Sequence, residues 1–193
     1  MLMTLRPGKV RSQGAFAPDT EVALRSVVNL INTAANGEEQ LATPADLDRF
    51  LRTEGFTGSR TRDAAELASV HRLRRQLAEL WQASEGAAVE TVNQLLRDAR
   101  ALPQLVRHDD WDWHLHATPP EAPLADRMST EAAMALVDVI RNKEMGRMLV
   151  CAAEDCDAVV LDLSRNRSKR YCDTGNCANR AHVAAYRARK AAS

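Results

Sequence analysis

The stretch Cys151-Ala152-Ala153-Glu154-Asp155-Cys156, separated by fifteen residues from Cys172-Asp173-Thr174-Gly175-Asn176-Cys177, decides how the C-terminal part of this 193-residue chain folds. Both pairs have the spacing C-x4-C, and together they contain every cysteine of the protein. Four thiolates arriving as two short-range pairs satisfy the tetrahedral coordination of a zinc ion, and each pair closes only a short loop. Two disulfides would also use four cysteines, but disulfides belong to oxidising compartments. Four unrelated buried thiols would not repeat one spacing. The pattern predicts a zinc site held by Cys151, Cys156, Cys172 and Cys177. Such a set leaves no coordination position for water or substrate, so the metal is structural rather than catalytic.

The residues around the second pair are cationic. Arg165, Arg167, Lys169 and Arg170 precede it in a polar arm, and Arg180, Arg187, Arg189 and Lys190 follow it. Residues 164–193 hold eight Lys or Arg against one acid, Asp173, whereas residues 1–163 carry 18 basic and 25 acidic residues, so a net charge of zero hides +7 against −7. A basic tail on an acidic body suggests that the tail meets a polyanion. The Ala- and Arg-rich run Ala178–Lys190 reads as a helix with Val183 and Tyr186 facing inward, which puts Cys177 at a helix N-terminus, where the dipole favours negative charge. Arg165, Arg167, Lys169, Arg170, Asn179, Arg180, Arg187 and Arg189 are the candidate nucleic-acid contacts, through phosphates and guanine edges. The alternative is a solvated terminal helix, some of whose cations offset the doubly negative zinc–tetrathiolate.

Upstream, the apolar spacing is helical. Residues 1–18 have neither period and read as a loose arm with a short strand around Gly14–Phe16. Val22, Leu24, Val27, Val28, Leu30 and Ile31 make a first amphipathic helix from Asp19, stopped at Asn36-Gly37. Thr43-Pro44-Ala45-Asp46 starts a second, with a Thr cap and Pro at the first position, and Gly55 ends it. A third runs from about Thr61 to Ser84 on the seam Leu67, Val70, Leu73, Leu77, Leu80 and Trp81, closed by Gly86. A fourth covers about Ala87–Ala101, and a fifth follows the Pro-rich turn 118–123 and reaches about Arg141. Aromatic residues make up only 4% of the chain, a scarcity that suits helices better than sheets.

Between the fourth and fifth helices the period changes to two. Leu105-Val106 and Trp111-Asp112-Trp113-His114-Leu115 alternate across His108-Asp109-Asp110, which predicts a β-hairpin. Trp111, Trp113 and Leu115 share one face and are expected to fill core, with Asp112, His114 and His116 on an outer, polar face. Alternatively, His114 and His116 would ligate a second metal, or Trp111 and Trp113 would wall a small-molecule effector pocket. His71 reads as a helix-boundary residue. No Gly-rich phosphate loop, nucleophile–base order or paired carboxylates stand out, so an enzyme reading has no anchor. The N-terminus lacks a signal-peptide pattern and no apolar run reaches membrane-spanning length, from which a cytoplasmic protein is expected.

From Cys151 to Lys190 the sequence resembles a CGNR-type zinc finger, in C-A-A-E-D-C, then V-V-L-D-L-S-R-N-R-S-K-R-Y-C, then C-A-N-R-A-H-V-A-A-Y-R-A-R-K. Upstream, V-V-N-L-I-N-T, L-A-T-P-A-D-L-D-R-F-L, the arginine-rich third helix and D-W-D-W resemble the ABATE domain that precedes this finger. The resemblance implies a bacterial, stress-responsive transcription regulator whose finger binds zinc through the four cysteines and binds DNA. The name-giving C-G-N-R reads Cys177-Ala178-Asn179-Arg180 here, with alanine where the family has glycine. The expected fold is mainly α: an arm at 1–18, a helical domain with a small β-hairpin at 19–147, and a treble-clef-like four-cysteine finger at 148–193. The expected partners are one structural zinc ion, DNA, a second copy of the chain and a small-molecule effector.

Overall fold

Three of the helices start where a side chain satisfies free backbone N–H groups. The computed structural model describes residues 15–108 and 111–191, with helices α1 (Pro18–Asn32), α2 (Pro44–Glu54), α3 (Ala64–Trp81), α4 (Glu85–Asp98), α5 (Leu124–Arg141) and α6 (Cys177–Ala191). At α2 the Thr43 hydroxyl accepts from the Asp46 N–H while the Asp46 carboxylate accepts from the Thr43 N–H, a reciprocal capping box. Gly55, at φ 75°, ends α2 in the left-handed region that its missing Cβ permits. Asp63 caps α3 and Ser84 caps α4. Gly86, expected to close the third helix, instead lies in the first turn of α4, because the Ser84 hydroxyl accepts from the Ala87 N–H.

α5 is the central helix. Ala133, Leu136 and Val139 are fully buried, and α5 packs against α1, α3 and α4. The expected seam of α3 is buried in full, from Leu67 to Trp81. Two arginines tie loops to this core. Arg74 of α3 bridges to Glu39 and donates to the Thr33 hydroxyl, and its guanidinium holds the Glu39 carboxyl down at about 2. Arg127 of α5 is buried and donates to the backbone carbonyls of Thr57, Ser59 and Ala122, fastening the α2–α3 connection beneath the Pro-rich turn.

Two antiparallel hairpins complete the described residues: β1 (Gln104–His108) with β2 (Trp111–His116), and β3 (Met148–Val150) with β4 (Val159–Leu161). The first has the expected alternation but the opposite face inward. Trp113 is 62% exposed and Leu115 46%, while His114 and His116 are half-buried. A two-stranded hairpin can lay only one face on a bundle. Here Ala117 is buried after β2 and its carbonyl accepts from the Leu102 N–H, and this anchoring accompanies the histidine face turned inward. Trp113 carries the Arg107 guanidinium 5.3 Å from its ring centre. The side chain of Trp111 lies outside the described residues.

The second hairpin belongs to the same core as the helices. Met148, Val159 and Leu161 join the main buried cluster. Asn32, at the end of α1, pairs with Val159 in both directions: its Oδ1 accepts from the Val159 N–H at 2.8 Å and its Nδ2 donates to the Val159 carbonyl at 3.0 Å. Asn36 and Asp157 are also joined in both directions, each backbone N–H donating to the other's side-chain Oδ1, and the Trp81 indole N–H donates to the Leu149 carbonyl. The arm expected at 1–18 lies outside the described residues up to residue 14. Of its short strand, Ala15 and Phe16 form a bend, and Phe16 packs on the core.

Gly58 sits at φ +99°, and a Cβ there would lie 2.1 Å from Arg127 Nη1 and 3.3 Å from the Pro120 carbonyl. Gly58→Ala is therefore expected to destabilise the protein by about 2 kcal/mol or more. In a chain of this size that lowers the melting temperature by roughly 4–8 °C in calorimetry; an unchanged value would contradict the Arg127 clamp.

Candidate functional site

The zinc site is assembled by the second hairpin and the start of α6. Cys151 follows β3, and its N–H donates to the Ala158 carbonyl, closing the first cysteine loop; the Cys156 N–H donates to Ala153 inside it. Cys172 returns under this loop with its N–H aimed at Cys151 Sγ, 3.4 Å away, and Cys177 is the first residue of α6. The four Sγ atoms lie within 4.8 Å of one another and all four cysteines are buried and free of disulfides. Cys172 Sγ is 3.7 Å from both Cys156 Sγ and Cys177 Sγ. A tetrahedron with zinc–sulfur bonds of about 2.3 Å has edges of about 3.8 Å. The donor set therefore fits one structural zinc ion.

The thiols are electrostatically unequal. Burial pushes Cys156 up to about 12, and Cys177 also rises. Burial acts upward on Cys172 too, but hydrogen bonds from the Thr174 side chain and the Gly175 backbone outweigh it and hold this thiol at about 6. A metal that displaces all four protons stores its binding energy as folding energy of this segment.

Arg180 is part of the metal centre. Its guanidinium makes a two-pronged pair with Asp155, at 2.9 and 3.0 Å, and Nη2 lies 3.2 Å from Cys177 Sγ. It joins the first cysteine loop to α6 and offsets thiolate charge. Of the other predicted nucleic-acid contacts, Arg165, Arg167, Arg170, Asn179, Arg187 and Arg189 are exposed and Lys169 is half-buried; Arg167 pairs with Glu144 and Lys169 with Asp173. Sequence reasoning missed Asp162, which builds the arm: buried, its carboxylate accepts from the backbone N–H groups of Ser164 and Lys169, and the buried Arg147 holds the adjoining carbonyls of Asp162 and Ser164. An acid beside a predicted strand, followed by Ser two residues on, is the turn signal that would have found it. The Ala152 N–H donates to the Arg170 carbonyl, so the arm lies beside the first cysteine loop.

α6 departs from expectation. Val183 and Tyr186, expected inward, are 40% and 60% exposed, and among the described residues the helix is buried only at Cys177.

A cavity of about 390 Å³ opens between the N-terminal half of α1, α5 and the residues of β2. Trp113 does not line it; His114, Leu115 and His116 do. His114 and His116 meet Nε2 to Nε2 at 2.9 Å. Among the described residues, neither belongs to a group of His, Cys, Asp or Glu placed to share a metal ion; that description fits the four cysteines. Across from the histidines, Thr20 donates to Asp138 at 2.9 Å, and Glu131 places a buried Oε2 without a hydrogen-bond partner. Burial pushes the Glu131 carboxyl up to about 8. His71, half-buried, meets the Leu41 carbonyl as a boundary contact.

Two comparisons bear on this architecture. The ABATE family model, described as "Putative stress-induced transcription regulator", matches residues 24–143, and the CGNR zinc finger model matches residues 147–190. Curated proteins gave no match. No helix among the described residues is long and apolar enough to cross a membrane.

Zinc removal by a chelator is expected to melt α6 while α1–α5 persist, read as a partial loss of far-UV helical signal alongside one released zinc per chain. Arg180→Ala is expected to retain zinc but weaken its hold about tenfold in chelator competition; an unchanged affinity would place Arg180 outside the metal centre. The folded Glu131 carboxyl keeps its proton up to about pH 8, whereas the unfolded chain releases it near the ordinary glutamate value of 4.5. The unfolded state binds fewer protons across that window, so stability falls as pH rises through it. Glu131→Gln is expected to flatten this decline in melting temperature between pH 6 and 8.

Proposed function

The chain belongs to the ABATE family and carries a CGNR zinc finger, and from that membership we propose that it is a zinc-dependent DNA-binding transcription regulator of the cytoplasm, without enzymatic activity. The observation that carries the reading is α6, a 15-residue helix buried at Cys177 alone. At about 1.5 Å per residue it presents roughly 22 Å of cationic helix to solvent, and the DNA major groove admits one α-helix. Arg187, Arg189 and Lys190 lie on its outer half, and Arg165 and Arg170 extend the same charge along the arm. These cations neutralise phosphates. Arg180 supports the surface from behind through Asp155 and Cys177, and Asn179 is exposed beside it.

The helical domain acts as a sensor in this reading. The cavity is lined by Asp19, Thr20 and Ala23 at one end of α1, and Asn32 at the other end holds β4 of the finger. An effector bound in the cavity bears on the helix that seats the finger.

Fluorescence-anisotropy titration of zinc-loaded protein with mixed DNA at several salt concentrations tests the DNA contact. Binding is expected to weaken as salt rises, and Arg187→Ala to lower low-salt affinity and reduce the salt slope by about one. Absence of binding at low salt, or binding without a salt slope, would sink the reading.

The second reading is an interaction or oligomerisation module in which the finger is purely structural. The outer face of the first hairpin favours it: Leu105, 65% exposed, stands opposite Leu115 and beside Trp113. A homodimer formed there is expected to dissociate in light scattering when Trp113 and Leu115 are both changed to Ser. A monomeric wild type would remove this alternative.

A further inference from the structure

We infer that α6 lies in the major groove of duplex DNA with Val183 and Tyr186 against the methyl groups of thymine and Asn179 on adenine, so that this face of the helix reads A·T pairs. This rests on the proposed DNA-binding role of α6 and names the bases that its outer face takes.

At 3.6 residues per turn, positions 179, 183, 186 and 190 fall within an arc of about 60°. Asn179, Val183, Tyr186 and Lys190 therefore form one stripe along α6, and all four are exposed. Cys177, which is buried, and Ala181, which is half-buried, lie on the opposite side of the helix, and the other residues of α6 are exposed. The side of α6 that meets the finger is thus the side of the zinc ligand, and the stripe is turned away from it.

The charges flank this stripe. Arg187 lies on one side of it and Arg189 on the other, each roughly 70–90° round the helix. α6 carries no Asp or Glu. A second copy of α6 laid along the stripe would set cations against cations on both flanks. Duplex DNA offers the reverse: a major groove about 12 Å wide, the size of a helix of about 10–12 Å with its side chains, lies between two phosphate backbones. Arg187 then faces one strand and Arg189 the other.

The groups of the stripe match one kind of base pair. Tyr186 is 60% exposed and Val183 40%, and at a spacing of i and i+3 they are neighbours, forming an apolar patch between the cations. The base edges in the major groove offer one apolar group, the C5-methyl of thymine. The Asn179 amide presents a donor and an acceptor side by side, which fits N7 and N6 of adenine. Asn179 stands in the first turn of α6, next to Arg180, whose guanidinium is held by Asp155 and Cys177. The backbone that carries it is therefore fixed by the metal centre.

Competition against a fluorescent mixed-sequence duplex, read by anisotropy with the zinc-loaded full chain, tests the inference. The competitors are three duplexes of one length: alternating A·T, the same duplex with uracil in place of every thymine, and alternating G·C. The thymine duplex is expected to compete about fivefold or more better than the uracil duplex, which lacks only the C5-methyl groups, and the G·C duplex to compete least. Val183→Ala combined with Tyr186→Ala is expected to abolish the thymine–uracil difference, whereas Arg187→Ala weakens all three duplexes alike. Retained zinc shows that the double variant is folded; if it loses zinc, the thymine–uracil comparison on the unaltered protein decides alone. Equal competition by thymine and uracil duplexes or by A·T and G·C, or a methyl effect that survives in the folded double variant, overturns this inference and leaves the regulator reading standing. A dimer in light scattering that the double variant dissociates would assign the stripe to a second copy and overturn it too. No binding of the mixed duplex at low salt overturns both.

Discussion

Four thiols buried within 4.8 Å of one another cannot all ionise unless a cation sits at their centre. That constraint organises everything from residue 151 onward. The segment has few apolar side chains of its own: its small cluster consists of the cysteines with Ala158 and Val160, supported by Leu149 and Tyr171. Metal coordination stands in for a hydrophobic core there, as it does in small domains generally. Once the metal is in place, Cys177 fixes the first turn of α6, and the Arg180–Asp155 pair prevents the helix from pivoting about that single ligand. The basic arm is set by a second device, the buried Asp162, which folds Ser164–Lys169 by accepting backbone N–H groups.

The finger is nevertheless not suspended on a linker. Met148, Val159 and Leu161 sit in the core of the helical bundle, and Asn32 occupies the hydrogen-bonding edge of β4 as a neighbouring strand would. α1 thereby touches both interesting parts of the molecule. Its first turns line the cavity and its last residue holds the finger. It is a helix of 15 residues with eight of them buried. The zinc centre supplies shape to the basic surface, and the bundle supplies the core on which the second hairpin rests.

The zinc ligands were fully legible because they depend on a local chemical rule, two identical C-x4-C spacings. The helices were legible because apolar side chains recur at the helical period, and the caps at Thr43 and the stop at Gly55 are local as well. Boundaries shifted where two signals competed, as at Gly86, which Ser84 drew into α4. The family resemblance, carried by the same cysteine frame and the upstream helical motifs, is matched by both family models. What misled was the direction of faces. Period two places Trp113 and His114 on opposite sides of β2 but does not say which side meets the bundle, and the histidine side does. Val183 and Tyr186 look like an inward stripe on α6, yet both are exposed.

Spacing and periodicity alone thus determined the closed four-thiolate metal site, the succession of helices and the separation of an acidic body from a basic tail. These follow from ligand geometry, from 3.6- and 2-residue periods and from charge counting, none of which requires a distant contact. Only the tertiary structure decided which acids and thiols pair with particular arginines: Arg180 with Asp155 and Cys177, Arg167 with Glu144. It also decided that Glu131, an ordinary polar position in a helical pattern, becomes a buried carboxyl in a cavity. Pairing and burial depend on residues tens to more than a hundred positions apart in sequence, and their proximity exists only once α1, α5 and both hairpins have packed together.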